Sequence, residues 1–183
     1  MPLEMCAEAG EPIHDTSAAL PMCPGAAEHC CRLEEVDLSS FRLSEPVLER
    51  LCQRCPRLTS VQLPKHCQPA CVEVLLRRLP GLRALRLEGV DVPAGLLALL
   101  PPGLERLTLY GCGLPAAPRQ SADRWPRLTE LVVTLSDSSG LAALVAGCPR
   151  LRRLQADCSD ADDDLLQELA HLQQLQQLDI SCE

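Results

Sequence analysis

The sequence has no asparagine, a single lysine (Lys65), and one each of phenylalanine, tyrosine and tryptophan: Phe41, Tyr110 and Trp125. Aromatic residues make up 2% of the 183 residues while apolar residues make up 46%, so aliphatic side chains, above all leucine, have to fill the core. Basic charge is scarce as well. Seventeen Lys plus Arg stand against 25 Asp plus Glu, a net charge of -8, which disfavours general binding to nucleic-acid phosphates because that needs a positive face. Proline or charge interrupts every apolar run before the roughly 20 residues needed to span a bilayer. The first residues are acidic, contain Pro2 and Pro12, and lack the basic start and apolar stretch of a secretory signal. These absences imply an intracellular chain, cytoplasmic or nuclear, with no membrane or nucleic-acid partner. In that setting the twelve cysteines are expected to stay reduced, as core residues or metal ligands rather than a disulfide framework.

Catalytic signatures are absent too. His14, His29, His66 and His171 sit in no nucleophile or metal motif, and there is neither a phosphate-cradling glycine loop nor a Gly-x-Ser-x-Gly turn. The expectation is a non-enzyme without a cofactor.

What is present is repetition. The pattern Leu-x-x-Leu-x-Leu, with Val, Ile or Ala as occasional substitutes, begins at Leu33, Leu58, Leu82, Leu104, Leu128, Leu151 and Leu175, at intervals of 25, 24, 22, 24, 23 and 24 residues. That period lies within the window of leucine-rich repeats. Pro56, Pro80, Pro102, Pro126 and Pro149 each stand two residues before the first leucine of a repeat. Proline cannot continue a helix and favours extended backbone before it, so each marks a helix-to-strand boundary. Between strands, apolar residues return at helical spacing: Val47, Leu48, Leu51, Cys52 and Cys55, then Val72, Leu75, Leu76 and Leu79, then Leu141, Leu144, Val145 and Cys148, then Leu165, Leu166, Leu169 and Leu172. The linkers near Pro93 and from Pro115 to Pro118 are weaker, with one short helical turn at Leu96 to Leu100 and irregular coil respectively. The fold expected is an α/β leucine-rich-repeat solenoid, a horseshoe of about seven repeats with a parallel concave sheet and convex helices. It covers residues 33–183 and is preceded by a non-repeat segment, 1–32, that is disordered or an irregular cap. Its last strand, with Leu175, Leu178 and Ile180, is expected at an uncapped sheet edge.

The run Cys-Pro-Arg-Leu at 55–58 and again at 148–151, the helix Val47 to Cys55, and the strand Leu104 to Leu109 ending at Tyr110-Gly111-Cys112 resemble the cysteine-containing repeats of F-box/leucine-rich-repeat proteins. The resemblance implies the substrate-recognition arm of a cullin-RING ubiquitin ligase, whose partners would include the Skp1 adaptor and the cullin. Residues 1–32 carry no recognisable F-box, so the reading extends to a regulatory relative lacking that motif. A general scaffold or inhibitor unconnected with ubiquitin is the alternative. At the ninth position of the pattern, where such repeats commonly hold Asn or Cys, stand Phe41, His66, Val90, Cys112, Ser136, Ser159 and Glu183.

Strand side chains alternate between faces, so residues between the repeated leucines point to the concave surface. The candidate partner-binding residues are Arg86, Glu88, Arg106, Thr108, Tyr110, Glu130, Arg153 and Asp157, within a longer track from Glu35, Asp37, Ser39, Ser60 and Gln62 to Val132, Thr134, Gln155, Gln177 and Asp179. Tyr110 centres it because Tyr and Arg dominate interface hot spots. The competing reading is a merely solvated face, with the partner bound elsewhere. Trp125, at a helix-end position held by Cys55, Leu79 and Cys148 in other repeats, is expected to fill the core. Cys52-x-x-Cys55 reads as part of a buried stripe rather than a metal half-site, and His29, Cys30, Cys31 and Cys23 form a weaker metal candidate. The acids Asp160, Asp162, Asp163 and Asp164 are placed at a helix N-terminus, where they meet its positive dipole end.

Overall fold

The computed structural model describes residues 32–114, 124–135, 139–158 and 163–182. Among them the chain forms β1 (Glu35–Asp37), α1 (Glu45–Arg54), β2 (Ser60–Gln62), α2 (Pro69–Arg78), β3 (Ala84–Glu88), α3 (Ala94–Leu97), β4 (Arg106–Tyr110), β5 (Glu130–Leu135), α4 (Ser139–Ala146), β6 (Arg153–Cys158), α5 (Asp163–Ala170) and β7 (Gln177–Cys182). The strands make one parallel sheet in chain order, the α/β repeat arrangement read from the leucine pattern. The short helix after Pro93 starts two residues earlier than the apolar spacing indicates. Pro93 itself occupies the extended N-cap position, and Leu96 and Leu97 are its buried residues. Residues 1–31 and the linker 115–123 lie outside the described residues, as do Cys23, His29, Cys30, Cys31, Asp160 and Asp162. Asp163 opens α5, as expected of the acidic run.

A turn with a proline in its second position builds five of the six repeat boundaries. Leu58 N–H donates to Cys55 O (3.2 Å), Leu82 to Leu79 (3.1 Å), Leu104 to Pro101 (3.1 Å), Leu128 to Trp125 (3.1 Å) and Leu151 to Cys148 (3.1 Å). Proline fits there because its fixed φ suits the turn and the missing N–H is not needed. The last repeat makes the same turn without proline, from Leu175 N–H to Leu172 O at 3.4 Å. After each turn one carbonyl accepts two N–H groups of the next repeat. Arg83 O takes those of Glu105 and Arg106, and Thr129 O those of Arg152 and Arg153, at 2.8 to 2.9 Å. This shared acceptor starts the ladder in register.

Inward strand residues and the helices share one core. Leu85, Leu107, Leu131 and Leu154 form one lateral row and Leu87, Leu109, Val133 and Ala156 the next, all buried. They pack with Leu48, Cys52, Val72, Leu75, Leu141, Val145 and Leu165 of the helices, and Trp125 joins them. α1 packs on α2, α2 on α3, and α4 on α5, so a repeat buries its apolar surface only against its neighbours. At β7 that cover stops on one side, where Leu178 is 52% and Leu166 55% exposed. No described helix is long and apolar enough to cross a membrane.

Beyond the strands the ladder continues by one bond per repeat. His66 N–H donates to Glu88 O, Gly89 N–H to Tyr110 O and Gly111 N–H to Thr134 O, each at 2.8 Å. All three residues are left-handed, with φ of 54°, 64° and 54°, and a side chain costs energy there while glycine does not. These bonds make His66 the counterpart of Gly89 and Gly111. The ninth-position residue of the second repeat is therefore Cys67, equivalent to Val90 and Cys112, whereas counting along the chain points to His66. One extra residue in the Pro64-Lys65 stretch produces the offset.

Candidate functional site

The helix-free face of the sheet carries three lateral rows. Strand pairing aligns Glu35, Ser60, Ala84, Arg106, Glu130, Arg153 and Gln177 in the first. The second holds Asp37, Gln62, Arg86, Thr108, Val132, Gln155 and Asp179. The third runs Glu88, Tyr110, Thr134, Asp157 and Ser181. Of these, every residue whose burial is described is exposed or half-exposed. Lateral neighbours are about 4.8 Å apart and diagonal ones roughly 8 Å, within reach of long side chains.

The predicted site residues separate into two kinds within this grid. Arg86, Arg106, Thr108 and Tyr110 meet on β3 and β4. The Arg86 guanidinium carbon lies 4.7 Å from the centre of the Tyr110 ring, a cation–π geometry that fixes a flexible arginine at the cost of little solvation. Arg106 is exposed, and among the described residues it, Thr108 and Tyr110 have no side-chain hydrogen bond or ion pair. Its lateral neighbour towards β3 is Ala84, which leaves open space beside it.

The remaining members are engaged with one another or lie further away. Arg153 bridges its row, with Nη1 3.3 Å from Glu130 Oε1 and Nε donating to Gln177 Oε1 at 2.7 Å. Glu88, the lateral neighbour of Tyr110, is held by Lys65 at 2.7 Å. Asp157 is two strands from Tyr110, beyond Thr134. Exposed pairs of this sort contribute little stability, but they determine which charges remain available. Two carboxylates next to the Arg86–Tyr110 patch are neutralised by cations from outside it.

Ala84, Lys65 and Ser181 belong to this face or its border and escape the sequence track. Strict alternation would have found Ala84 and Ser181. Lys65 is displaced by the extra residue of its repeat.

Cys52, Cys71, Cys112 and Cys148 are free and buried, Cys55 is buried, and Cys67 is free and half-buried. Burial pushes the thiols of Cys52 and Cys67 up to about 11 and that of Cys148 up to about 12, leaving almost no thiolate at neutral pH. Cys148 donates its S–H to Leu144 O at 3.1 Å. Among the described residues no group of three or more His, Cys, Asp or Glu is placed to hold a metal ion. A groove of about 680 Å³ lies between the loops after β1 and β2 and the helices α1 and α2 that follow them, lined by Phe41, Leu43, Glu45, Lys65, His66 and Cys67 among others.

No family model and no curated protein matches the chain.

Proposed function

We propose that the chain is a protein–protein interaction module that recognises its partner through the helix-free sheet face centred on Tyr110. The observation that carries this reading is the state of β4: among the described residues its outward side chains, Arg106, Thr108 and Tyr110, make no side-chain hydrogen bond or ion pair, Tyr110 being met only by the Arg86 guanidinium over its ring, while the leucines beneath them are fully packed. A strand that presents a Tyr hydroxyl and an Arg guanidinium with their hydrogen-bonding capacity unused suits recognition. Among the described residues, burial keeps the thiols of Cys52, Cys67 and Cys148 protonated at neutral pH.

The resemblance of the repeats to those of F-box/leucine-rich-repeat proteins supports a more specific role, the substrate-recognition arm of a cullin-RING ubiquitin ligase or a regulatory relative without the F-box. The motifs behind it, Cys-Pro-Arg-Leu at 55–58 and 148–151, form the boundary turns, so they bear on repeat type. A scaffold or inhibitor outside the ubiquitin system would use the same face.

Affinity purification with mass spectrometry, comparing the wild type with a Tyr110→Ala/Arg106→Ala double variant, separates these readings. Recovery of Skp1 and a cullin, with other partners lost in the variant, is the result expected of the recognition arm. Partners lost in the variant without Skp1 or a cullin leave the scaffold. Partners that survive the double variant but are lost with Arg77→Glu, on the exposed side of α2, contradict the sheet face.

A further inference from the structure

The partner's chemistry follows from the donors and acceptors of this face, on the reading that the face is the recognition surface. Around β3 and β4 the available groups are the guanidinium ions of Arg86 and Arg106 and the hydroxyls of Thr108 and Tyr110. All four donate hydrogen bonds, and none of them is a carboxylate. The nearest acids are occupied, Glu88 by Lys65 at 2.7 Å and Glu130 by Arg153 at 3.3 Å. Within the three rows of the face, the acids that accept no cation among the described residues are towards the rims, Glu35 and Asp37 on β1 and Asp157 and Asp179 on β6 and β7, while Asp91, also without one, stands past the end of β3. In a chain of net charge -8, the middle of the sheet thus keeps two cations that have no counter-ion among the described residues, set between rows whose unpaired acids are at the edges.

Arg86 and Arg106 are diagonal neighbours across Thr108, with Cα atoms roughly 8 Å apart by strand spacing and rise; Arg86 rests over Tyr110, on the opposite diagonal, and an anionic group held by both guanidiniums draws it off the ring towards Arg106. Ala84, the lateral neighbour of Arg106 on β3, leaves space for that group beside Arg106. We propose that this patch binds an extended acidic peptide segment of the partner, placing one anionic side chain between Arg86 and Arg106 with Thr108 and Tyr110 donating to the same group or to the adjoining peptide carbonyls. Guanidinium forks match carboxylate and phosphate oxygens equally well, so the shared chemistry is an anionic oxygen cluster on a peptide. The negative rims repel a segment whose acids extend past the centre, which selects a short acidic core within a neutral or basic surround.

The test is selection of a random dodecapeptide display library on the immobilised full chain. The enriched peptides are then measured by fluorescence anisotropy against the wild type, Arg86→Gln, Arg106→Gln, Tyr110→Ala and Arg77→Gln. The expected result is enrichment of Asp or Glu at one central position, about tenfold weaker binding for each of the two arginine variants, no change for Arg77→Gln, and weakening by added salt. Replacing the central acid with phosphoserine identifies the source, since tighter binding indicates a phosphorylated segment and weaker binding a carboxylate. Enrichment of neutral or basic peptides that still depend on Tyr110 overturns the inference and leaves the recognition face standing. Peptides indifferent to Arg86, Arg106 and Tyr110 overturn both. Failure to enrich any peptide overturns the inference alone.

Discussion

Gly147 lies flat against the indole of Trp125, so closely that a β-carbon there would stand 2.8 Å from both Cε3 and Cζ3 of the ring. The same pair is tied by a backbone hydrogen bond, Trp125 N–H to Gly147 O at 2.9 Å. The one tryptophan therefore fills the core between two repeats only because its neighbour has no side chain. Gly147→Ala is expected to destabilise the fold by about 1–3 kcal/mol through overpacking. Urea unfolding followed by Trp125 fluorescence measures this directly. A neutral effect would mean that the ring can shift at no cost.

Equivalent leucines should differ in value along the stack. Leu107 and Leu178 hold the same repeat position, but Leu107 is buried between β3 and β5 while Leu178 on the edge strand is 52% exposed. Leu107→Ala should cost about 2–5 kcal/mol. Leu178→Ala should cost about 1 kcal/mol, since much of its surface already meets water. Denaturant midpoints of the two variants check the gradient.

The left-handed turns allow a double-mutant test. Gly111→Ala places a β-carbon in open space at φ 54°, so the expected loss is backbone strain alone, about 1–2 kcal/mol. At Gly89 the β-carbon would meet His66 Nδ1 at 2.3 Å and displace a ring that bonds to Gly89 O at 3.0 Å. Gly89→Ala should therefore cost about 1 kcal/mol more than Gly111→Ala, and the excess should vanish in a His66→Gly background.

Alkaline pH should weaken the fold through its thiols. Folded-state pKa values of about 11 for Cys52 and Cys67 and about 12 for Cys148 exceed the ordinary 9.0. Their contribution is thus complete below the unfolded value and lost as pH rises from there through the folded values. The denaturation midpoint is expected to stay level from about pH 7 to 8.5 and to fall above about pH 9. Cys148→Ala should make that fall shallower.

The leucine period and the prolines made the repeat architecture legible in the sequence, because each boundary turn uses proline for a local reason that needs no tertiary information. The face of each strand was legible too, since alternation is a property of the backbone. Lateral relations were not. That Arg153 turns to Glu130 and Gln177 while Arg106 stays unengaged depends on which side chains stand opposite each other, and a one-residue offset changes this. The extra residue near Lys65 shows the effect, hiding both the Lys65–Glu88 pair and the equivalence of Cys67 with Cys112.

The central claim, that the partner sits on the sheet face at Tyr110, is tested most directly by photo-crosslinking in cells. A benzophenone amino acid is placed at position 110 in one protein and at position 77, on the exposed side of α2, in another. The account predicts a discrete crosslinked adduct from position 110, suppressed by Arg106→Gln in the same chain, and none from position 77. An adduct from position 77 with none from position 110 would contradict it.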